Sequence, residues 1–342
     1  MSNQKSYVTG GPSPGGSGKR AMVAGAGRRT GASAITATGL RKAFGEQVVL
    51  DGVDLDIAEG TVFALLGPNG AGKTITVQIL STLIAADGGE IKVAGHDVAT
   101  DPDAVRAAIG VTGQFSAVDD LLTGEENLML MADLGHLGRA EGRRRSAGLL
   151  RRFDLVEAGG KTPAAYSGGM RRRLDLAMTL MGDPRIVFLD EPTTGLDPRS
   201  RRTMWRIIRD LVAGGATIFL TTQYLDEADE LADRIAILDR GKIVAEGTPD
   251  DLKRRIPGGH VRLRFADASD LDSAASSLGG ASRDHESLSL QVPTDGGVRS
   301  LKSVLDRLID ASIPVEGLSM HTPDLDDVFF ALTGDTEKEN AR

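Results

Sequence analysis

Residues 67–74 read Gly67-Pro68-Asn69-Gly70-Ala71-Gly72-Lys73-Thr74. This stretch matches a glycine-rich phosphate-binding loop, and it has the required context: the apolar run Val62–Leu66 precedes it and a predicted helix follows. The glycines let successive backbone N–H groups turn toward an anion at a helix N-terminus. Lys73 supplies a positive charge to the β- and γ-phosphates, and the Thr74 hydroxyl is a magnesium ligand. We therefore expect all eight residues to bind a nucleoside triphosphate.

A second apolar run ends in two carboxylates. It reads Ile186-Val187-Phe188-Leu189-Asp190-Glu191-Pro192, which is typical of a strand that is buried on both faces of a parallel sheet. A carboxylate at such a strand end can hold magnesium, which makes Asp190 a candidate ligand beside Thr74. The next acid, Glu191, can orient an attacking water and is a candidate catalytic residue together with Lys73. Apolar strands that end in an acid also occur without this function, so the prediction depends on the phosphate loop.

A third motif lies shortly before that strand. It reads Tyr166-Ser167-Gly168-Gly169-Met170-Arg171-Arg172-Arg173-Leu174. Its Ser-Gly-Gly opens a predicted helix, and a helix start is a second place where backbone N–H groups can hold an anion. Taken alone, the glycine pair indicates only a turn.

Strands and helices alternate from Ala34 onward, which predicts an α/β fold with a parallel sheet. We expect three parts: a disordered basic Gly/Ser-rich arm at 1–34, a nucleotide-binding domain at 35–256 with a helical subdomain at about 115–182, and a small α+β accessory or assembly domain at 257–342. The predicted elements of the third part are strands at His260–Arg264, Leu288–Val292 and Val315–Met320 and helices at Leu271–Leu278, Val298–Ala311 and Asp324–Leu332.

Composition excludes several other classes of protein. The 342 residues include no cysteine, which excludes disulfide scaffolds, iron–sulfur clusters and thiol nucleophiles. The net charge of −8 disfavours a general nucleic-acid binder, so no nucleic-acid partner is expected. No apolar run is long enough for a transmembrane helix. The apolar stretch Leu128–Met131 could contact a membrane partner or pack inside the helical subdomain, and the sequence does not decide between these two roles.

Together, the three motifs resemble the ATP-binding-cassette (ABC) ATPases over about residues 35–255. The resemblance implies the P-loop NTPase fold of the ABC type, with ATP and Mg²⁺ as cofactors. It also implies a head-to-tail homodimer in which Ser167, Gly168 and Gly169 bind the ATP of the second copy, with the loop Thr193–Asp197 at the interface. By the same resemblance, Gln114 reaches magnesium and faces a separate transmembrane subunit, and Phe44 stacks on adenine. As a lone aromatic residue, Phe44 could equally lie in the core.

The sequence departs from the ABC pattern at three positions. Tyr166 replaces the usual leucine and Met170 the usual glutamine of the Ser-Gly-Gly motif. Gln223 stands where the family carries a histidine near the γ-phosphate. An amide can donate a hydrogen bond to that phosphate but cannot carry a charge. Gln223 is therefore predicted to be catalytic, with the speed of turnover left open.

Three further stretches are similar to one subfamily, the ATP-binding subunits of daunorubicin-resistance antibiotic exporters: Thr112–Asp119, Thr221–Leu225 and Leu325–Gly334. This resemblance implies an ATPase that energises export of a small-molecule drug through a separate membrane-spanning permease. It would act as a peripheral subunit on the cytoplasmic face of the cell membrane. The alternatives are a nucleotide-gated regulatory module with little turnover and an importer ATPase. A soluble cassette ATPase of DNA repair or translation is disfavoured, because the chain has neither a long coiled-coil insertion nor a second phosphate loop.

Overall fold

Three sheets organise the residues that the computed structural model describes, which are 32–114, 116–255, 259–294, 297–321 and 323–333. The strands are β1 (Ser33–Phe44), β2 (Gln47–Ala58), β3 (Val62–Leu66), β4 (Gly88–Val93), β5 (His96–Asp97), β6 (Ile109–Thr112), β7 (Ile186–Asp190), β8 (Thr217–Thr222), β9 (Arg234–Asp239), β10 (Lys242–Gly247), β11 (His260–Arg264), β12 (Ser282–Asp284), β13 (Ser289–Pro293) and β14 (Gly317–His321). The helices are α1 (Lys73–Leu80), α2 (Pro102–Ala108), α3 (Gly124–Leu134), α4 (Arg139–Arg152), α5 (Gly168–Thr179), α6 (Pro198–Ala213), α7 (Leu225–Leu231), α8 (Pro249–Arg254), α9 (Ala268–Ser277), α10 (Val298–Asp310) and α11 (Leu325–Thr333). The predictions for residues 1–31 of the arm and for the boundary at 256–258 fall outside the described residues.

The largest sheet has the strand order β10-β9-β3-β8-β7-β6. Strands β9, β3, β8, β7 and β6 are parallel to their neighbours, and β10 is the antiparallel edge strand. Every residue of β3, β7 and β8 is buried, as expected for a parallel sheet that is covered on both faces.

Alternate residues of the central strands enter two different hydrophobic cores. Phe63 of β3 stacks on Phe219 of β8, with 5.7 Å between the ring centres, in the core shared with the antiparallel sheet β2-β1-β4-β5. Ala64 and Leu66, the other face of β3, lie in the core formed with α3 to α7. The sheet is therefore held between a β layer and a helical layer, which fixes where its strand ends lie.

Helices α3, α4 and α5 form the predicted helical subdomain. The Thr123 hydroxyl accepts from the backbone N–H of Glu126 (3.2 Å), and the Glu126 carboxylate accepts from the N–H of Thr123 (2.7 Å), so the capping box that starts α3 is formed. Leu128 is buried and Leu130 is exposed. The apolar stretch Leu128–Met131 thus divides between packing and an open surface.

The predicted α+β domain has its own core on an antiparallel sheet of order β12-β13-β11-β14, with α9 and α10 between the strands in sequence. This βαββαβ arrangement is the split βαβ, ferredoxin-like motif. Strand β12 was not predicted, because its three residues are all exposed and carry no apolar pattern.

Helix α11 does not close the domain that precedes it. Its buried residues Leu325 and Val328 belong to the core of the nucleotide-binding part, where α11 contacts α7 and α8. The described residues from Ala32 onward accordingly form one compact unit. In the described stretches, no helix combines the length and apolar character that a membrane span requires.

Candidate nucleotide-binding site

Four neighbouring parallel strands end at one edge of the large sheet, and each is followed by a predicted site segment. Strand β3 leads into the phosphate loop, β8 into Gln223, β7 into Glu191 and β6 into Gln114. The carboxyl edge of a parallel sheet is where α/β proteins bind their ligands. Sheet order therefore brings together residues that are far apart in sequence.

The phosphate loop needs glycine at particular positions. A Cβ on Gly67 would lie 2.3 Å from the carbonyl oxygen of Leu238, and a Cβ on Gly72 would lie 2.7 Å from a methyl group of Leu50. Gly70 and Gly72 also have φ values of +81° and +109°, in the left-handed region. The loop is thus a cradle of bare backbone at the start of α1, which suits an anion.

Lys73 is the buried cation of this cradle, with 5% of its side chain exposed. Its ammonium donates to the carbonyl oxygens of Gly67 (2.8 Å) and Pro68 (3.1 Å) and lies 3.6 Å from Glu191 Oε1. Burial lowers the pKa of Lys73, whereas the carboxylates of Glu191 and Asp190 raise it. A buried ammonium that has only oxygen partners is suited to phosphate oxygens.

Thr74 and Asp190 meet although 115 residues separate them in the sequence. The Thr74 hydroxyl donates to Asp190 Oδ1 at 3.3 Å, and the Thr221 hydroxyl donates to the same oxygen at 2.5 Å. Hydroxyl and carboxylate oxygens are the ligands that magnesium prefers, so this donor set fits the ion. No group of three His, Cys, Asp or Glu side chains that could hold a metal occurs among the described residues. Magnesium usually keeps several water ligands and adds phosphate oxygens to one or two protein ligands, which Thr74 and Asp190 could provide.

Glu191 has a strained backbone, with φ at +48°. Such a conformation costs a non-glycine residue roughly 1–3 kcal/mol and is concentrated at functional sites. The backbone N–H of Glu191 donates to the carbonyl and hydroxyl oxygens of Thr221, each at 3.1 Å, and Glu191 Oε2 accepts from the Thr194 hydroxyl at 3.2 Å. These contacts aim the carboxylate at the cradle rather than into the sheet.

Two glutamines lie at the same sheet edge. Gln223 is half-buried and follows Thr222, whose carbonyl accepts from the N–H of Gly67 at 3.3 Å. Gln114 is exposed and follows β6. Over the ranges that the structure covers, neither side chain is hydrogen-bonded to Thr74 or Asp190, so both glutamines border the cradle without closing it.

Phe44 is half exposed at the end of β1, with the Lys42 ammonium 5.2 Å from its ring centre. Strand β2, which pairs with β1, passes close to the phosphate loop. The carbonyl oxygen of Val49 on β2 would lie 3.1 Å from a Cβ on Gly72. An exposed aromatic ring at the end of a hairpin whose second strand passes the loop is compatible with adenine stacking.

Ser167, Gly168 and Gly169 lie at the start of α5. Ser167 caps this helix by accepting from the N–H of Met170 at 3.3 Å, and Ser167 and Gly168 are exposed. Gly169 packs on α6, since a Cβ on Gly169 would lie 2.4 Å from the hydroxyl oxygen of Ser200. No hydrogen bond joins these three residues to the phosphate loop in the parts of the chain with described structure. Ser167 and Gly168 therefore present an exposed helix start to solvent.

Sequence reasoning did not single out two residues that contact segments of the site. Glu227 is fully buried on α7, a helix that was not predicted, and its Oε1 accepts from Thr193 Oγ1 (2.8 Å) and Trp205 Nε1 (3.1 Å). Burial raises the pKa of Glu227 against the effect of its hydrogen bonds. Arg172 on α5 donates to the carbonyl oxygens of both Asp190 and Glu191. The helical spacing of Glu227, Ala228 and Leu231 was the available signal for a buried face.

Comparison with known proteins agrees with this geometry. The family model described as ABC transporter matches residues 50–194. The chain is 48% identical to the daunorubicin resistance ATP-binding protein DrrA3 of Streptomyces coeruleorubidus, over 90% of this chain and 98% of that protein. It is 44% identical to the doxorubicin resistance ATP-binding protein DrrA of Mycobacterium tuberculosis, over 88% of this chain and 94% of that protein.

Solved structures give the same result for the fold. An ATP-binding subunit of an ABC transporter aligns with a TM-score of 0.59 and 31% identity, over 65% of this chain and 93% of that one. A dimeric ATP-binding cassette bound to ADP and Pi aligns with a TM-score of 0.57 and 26% identity, over 63% of this chain and 98% of that one. The predicted P-loop NTPase fold of the ABC type is thus confirmed, as is the resemblance to daunorubicin-resistance proteins. The chain belongs to the ABC transporter family, as an ATP-binding subunit of the daunorubicin- and doxorubicin-resistance group.

Proposed function

We propose that this chain binds and hydrolyses ATP with magnesium, and that it thereby energises export of a drug or antibiotic through a separate membrane-spanning permease. The observation that carries the proposal is the convergence at one sheet edge of Lys73 with Glu191 (3.6 Å) and of Thr74 with Asp190 (3.3 Å). The names of the relatives at 44–48% identity supply the resistance and export context.

Binding would rest on the phosphate loop. The N–H groups of Gly67–Thr74 and the Lys73 ammonium hold the phosphates, and phosphate oxygens take the place of the two carbonyls that Lys73 now contacts. Thr74 and Asp190 would hold magnesium, with Gln114 approaching from the neighbouring strand. Bound magnesium supplies positive charge where the phosphates carry negative charge.

Turnover would depend on Glu191 and Gln223. Glu191 accepts a proton from the attacking water or orients it, since its carboxylate is held at the cradle by Thr194 and by the Lys73 ammonium. Gln223, which follows the neighbouring strand β8, donates a hydrogen bond toward the γ-phosphate.

The open helix start of α5 supports a dimer. Ser167 and Gly168 are exposed, so a second copy in head-to-tail orientation would use them, together with Gly169, to complete its ATP site. A membrane-spanning partner would contact the exposed side of Gln114 and Leu130 and hold the subunit at the cytoplasmic face of the membrane as a peripheral protein.

The proposal is tested with two variants of the purified chain. Lys73→Ala should weaken ATP binding by roughly a hundredfold in a calorimetric titration, since charged hydrogen bonds to phosphate are lost. Glu191→Gln should keep the affinity and lower turnover by about a hundred- to ten-thousandfold, because an amide is a poor base. Lys92→Ala, an exposed lysine on β4, is the control. Unchanged ATP affinity in Lys73→Ala, or parent turnover in Glu191→Gln, contradicts the proposal.

A further inference from the structure

Arg172 is an almost buried cation that the roles above do not use. It lies on the second turn of α5, and 11% of its side chain is exposed. Burial lowers its pKa, while the carboxylates of Asp175 and Asp190 raise it. A buried guanidinium must find a hydrogen-bond partner for each of its N–H groups, so its contacts show what it holds.

Those contacts converge on the backbone that carries Glu191. The Nη2 group donates to the carbonyl oxygens of Asp190 (3.0 Å) and Glu191 (3.3 Å), and the Nε group donates to that of Pro192 (3.0 Å). Three successive carbonyls are thus held by one side chain. The strained Glu191 lies at their centre.

The same side chain also reaches the segment that carries Gln114. Arg172 Nη1 donates to the carbonyl oxygen of Gly113 at 2.7 Å and to Asp175 Oδ2 at 3.2 Å. The other oxygen of Asp175 accepts from the N–H of Ala117 at 3.1 Å. Arg172 and Asp175 therefore hold the chain on both sides of Gln114.

Only the guanidinium group fits this arrangement. Its planar fork directs five N–H donors in fixed directions, whereas a lysine ammonium offers three donors from a single point. Arg173, the next residue, makes similar carbonyl contacts, but to Phe153 (2.7 Å) and Asp154 (3.2 Å) in the helical subdomain and to Gly169 (3.4 Å) in its own helix. The contacts of Arg172 to the site are thus a property of that position and not of arginines on α5 in general.

We propose that Arg172 and Asp175 are positioning residues that couple the helix start of α5 to Gln114 and Glu191 of the same chain. This inference rests on the proposed function, in which the start of α5 contacts the ATP of the second copy. Movement of α5 at that contact would then shift the carbonyls of Asp190–Pro192 and the backbone at Gly113 and Ala117 together. The two sites of the dimer and the segment facing the permease would respond as one unit.

The test compares kcat, KM for ATP and amide hydrogen exchange in Arg172→Met with the parent chain. We expect kcat to fall about ten- to a hundredfold, the scale of small misplacements of catalytic groups, with KM within about threefold. Peptides covering 111–119 and 189–195 should exchange faster, while those covering 67–80 should not. Parent kcat, or faster exchange spread evenly over the chain, overturns the proposal.

Arg145→Met is the matched control, because Arg145 on α4 also donates to a backbone carbonyl, that of Met181 (3.0 Å), and to a carboxylate, that of Glu141 (2.7 Å), outside the site; it should keep parent kcat. The double variant Arg172→Met/Asp175→Leu separates positioning from stability. Replacing both members of a buried ion pair by apolar side chains often restores stability. If the double variant regains the parent unfolding midpoint but keeps the low kcat, the pair positions the site; if it regains both, the pair is only structural and the proposal is wrong.

The double variant also carries the test if Arg172→Met does not fold. Glu191→Gln, measured in parallel, distinguishes failure of the proposed function from failure of the coupling alone. Normal turnover in Glu191→Gln would contradict the proposed function itself. Lost turnover in Glu191→Gln together with normal turnover in Arg172→Met would contradict only the coupling.

Discussion

At the scale of single residues, Gln223 is the departure with the clearest chemical consequence. It follows β8 next to the phosphate loop, at the position where the resemblance to ABC ATPases implies a titratable imidazole. Gln223→Ala should lower turnover roughly ten- to a thousandfold, as loss of one transition-state donor does. ATP affinity should change little, because Lys73 and the loop backbone hold the ground state. Steady-state ATPase assays together with calorimetric titration measure both quantities.

Gln223→His tests the same position by introducing a titratable imidazole. Turnover should be retained or raised, and a dependence on pH near 6–7 that the parent lacks at this position should be added. If Gln223→Ala turns over ATP at the parent rate, the residue is structural and its predicted catalytic role is wrong.

Glu227 gives a prediction about stability and pH. Burial raises its pKa, so the folded state binds its proton more tightly than the unfolded chain does. The stability that the protonated Glu227 contributes is therefore fully present below the pKa of this group in the unfolded chain. It is lost as the pH rises through the raised pKa of the folded state. Glu227→Gln keeps the oxygen that accepts from Thr193 and Trp205 and carries no charge. We expect the unfolding midpoint of this variant to exceed the parent's at pH 8, by about 2–5 °C, and by less at pH 5.

Thermal unfolding followed at both pH values measures this difference. Asp229→Asn is a suitable control, since Asp229 is an exposed acid on the same helix. An equal shift of the unfolding midpoint at pH 5 and pH 8 would show that protonation of Glu227 does not contribute to the pH dependence of stability.

At the scale of secondary-structure elements, α11 has a role that its sequence left open. Its apolar residues could close the preceding domain or dock on a neighbour, and the structure shows that they pack against α7 and α8. Helix α7, one of the two helices that α11 contacts, begins two residues after Gln223. The last described helix thus stabilises the segment behind a predicted catalytic position.

Val328→Asp tests this docking. Val328 is fully buried, so its replacement by a carboxylate should destabilise the nucleotide-binding part by about 2–4 kcal/mol, the cost of an unpaired buried polar group. Phe330→Asp, at a side chain that is 68% exposed, should change the free energy of unfolding by less than about 0.5 kcal/mol. Denaturant unfolding measures both variants, and equal effects would mean that α11 does not depend on this contact.

At the scale of the whole molecule, the two halves of each ATP site are predicted to come from different copies. In a two-fold symmetric dimer, the cradle of each copy would meet the exposed Ser-Gly-Gly helix start of the other, so that two equivalent sites form. A structure similar to this chain over 63% of its length is described as dimeric and bound to ADP and Pi.

Complementation between two inactive variants tests the head-to-tail arrangement. Lys73→Ala removes the cradle cation, and Gly168→Glu places a carboxylate at the helix start, where a Cβ has open space. Each variant alone should be inactive. An equal mixture should recover up to about a quarter of parent ATPase activity, because half of the dimers are mixed and each mixed dimer has one intact site. No recovery in a mixture shown to form mixed dimers would contradict the arrangement.

The sequence by itself determined the features that depend on a short run of residues. The strand–loop–helix at residues 62–80 and the apolar strand that ends at Asp190 are each set by local backbone chemistry, and their elements form where the sequence predicts them. Short elements without an apolar pattern, such as β12, gave no usable signal. Helix α7 was missed because its seven residues offer fewer than two full repeats of a helical pattern.

Only the tertiary structure decided which distant residues meet. The contact of Thr74 with Asp190, the five carbonyl and carboxylate partners of Arg172 and the burial of Glu227 depend on strand order β3-β8-β7-β6 and on how α5 and α7 pack. Arg172 donates hydrogen bonds mainly to backbone carbonyls there. Every residue carries the same carbonyl, so a pattern of residue types cannot indicate which carbonyls a side chain will contact. The chemistry of the site was therefore readable in the sequence, whereas the groups that hold it in place became visible only when the strands were side by side.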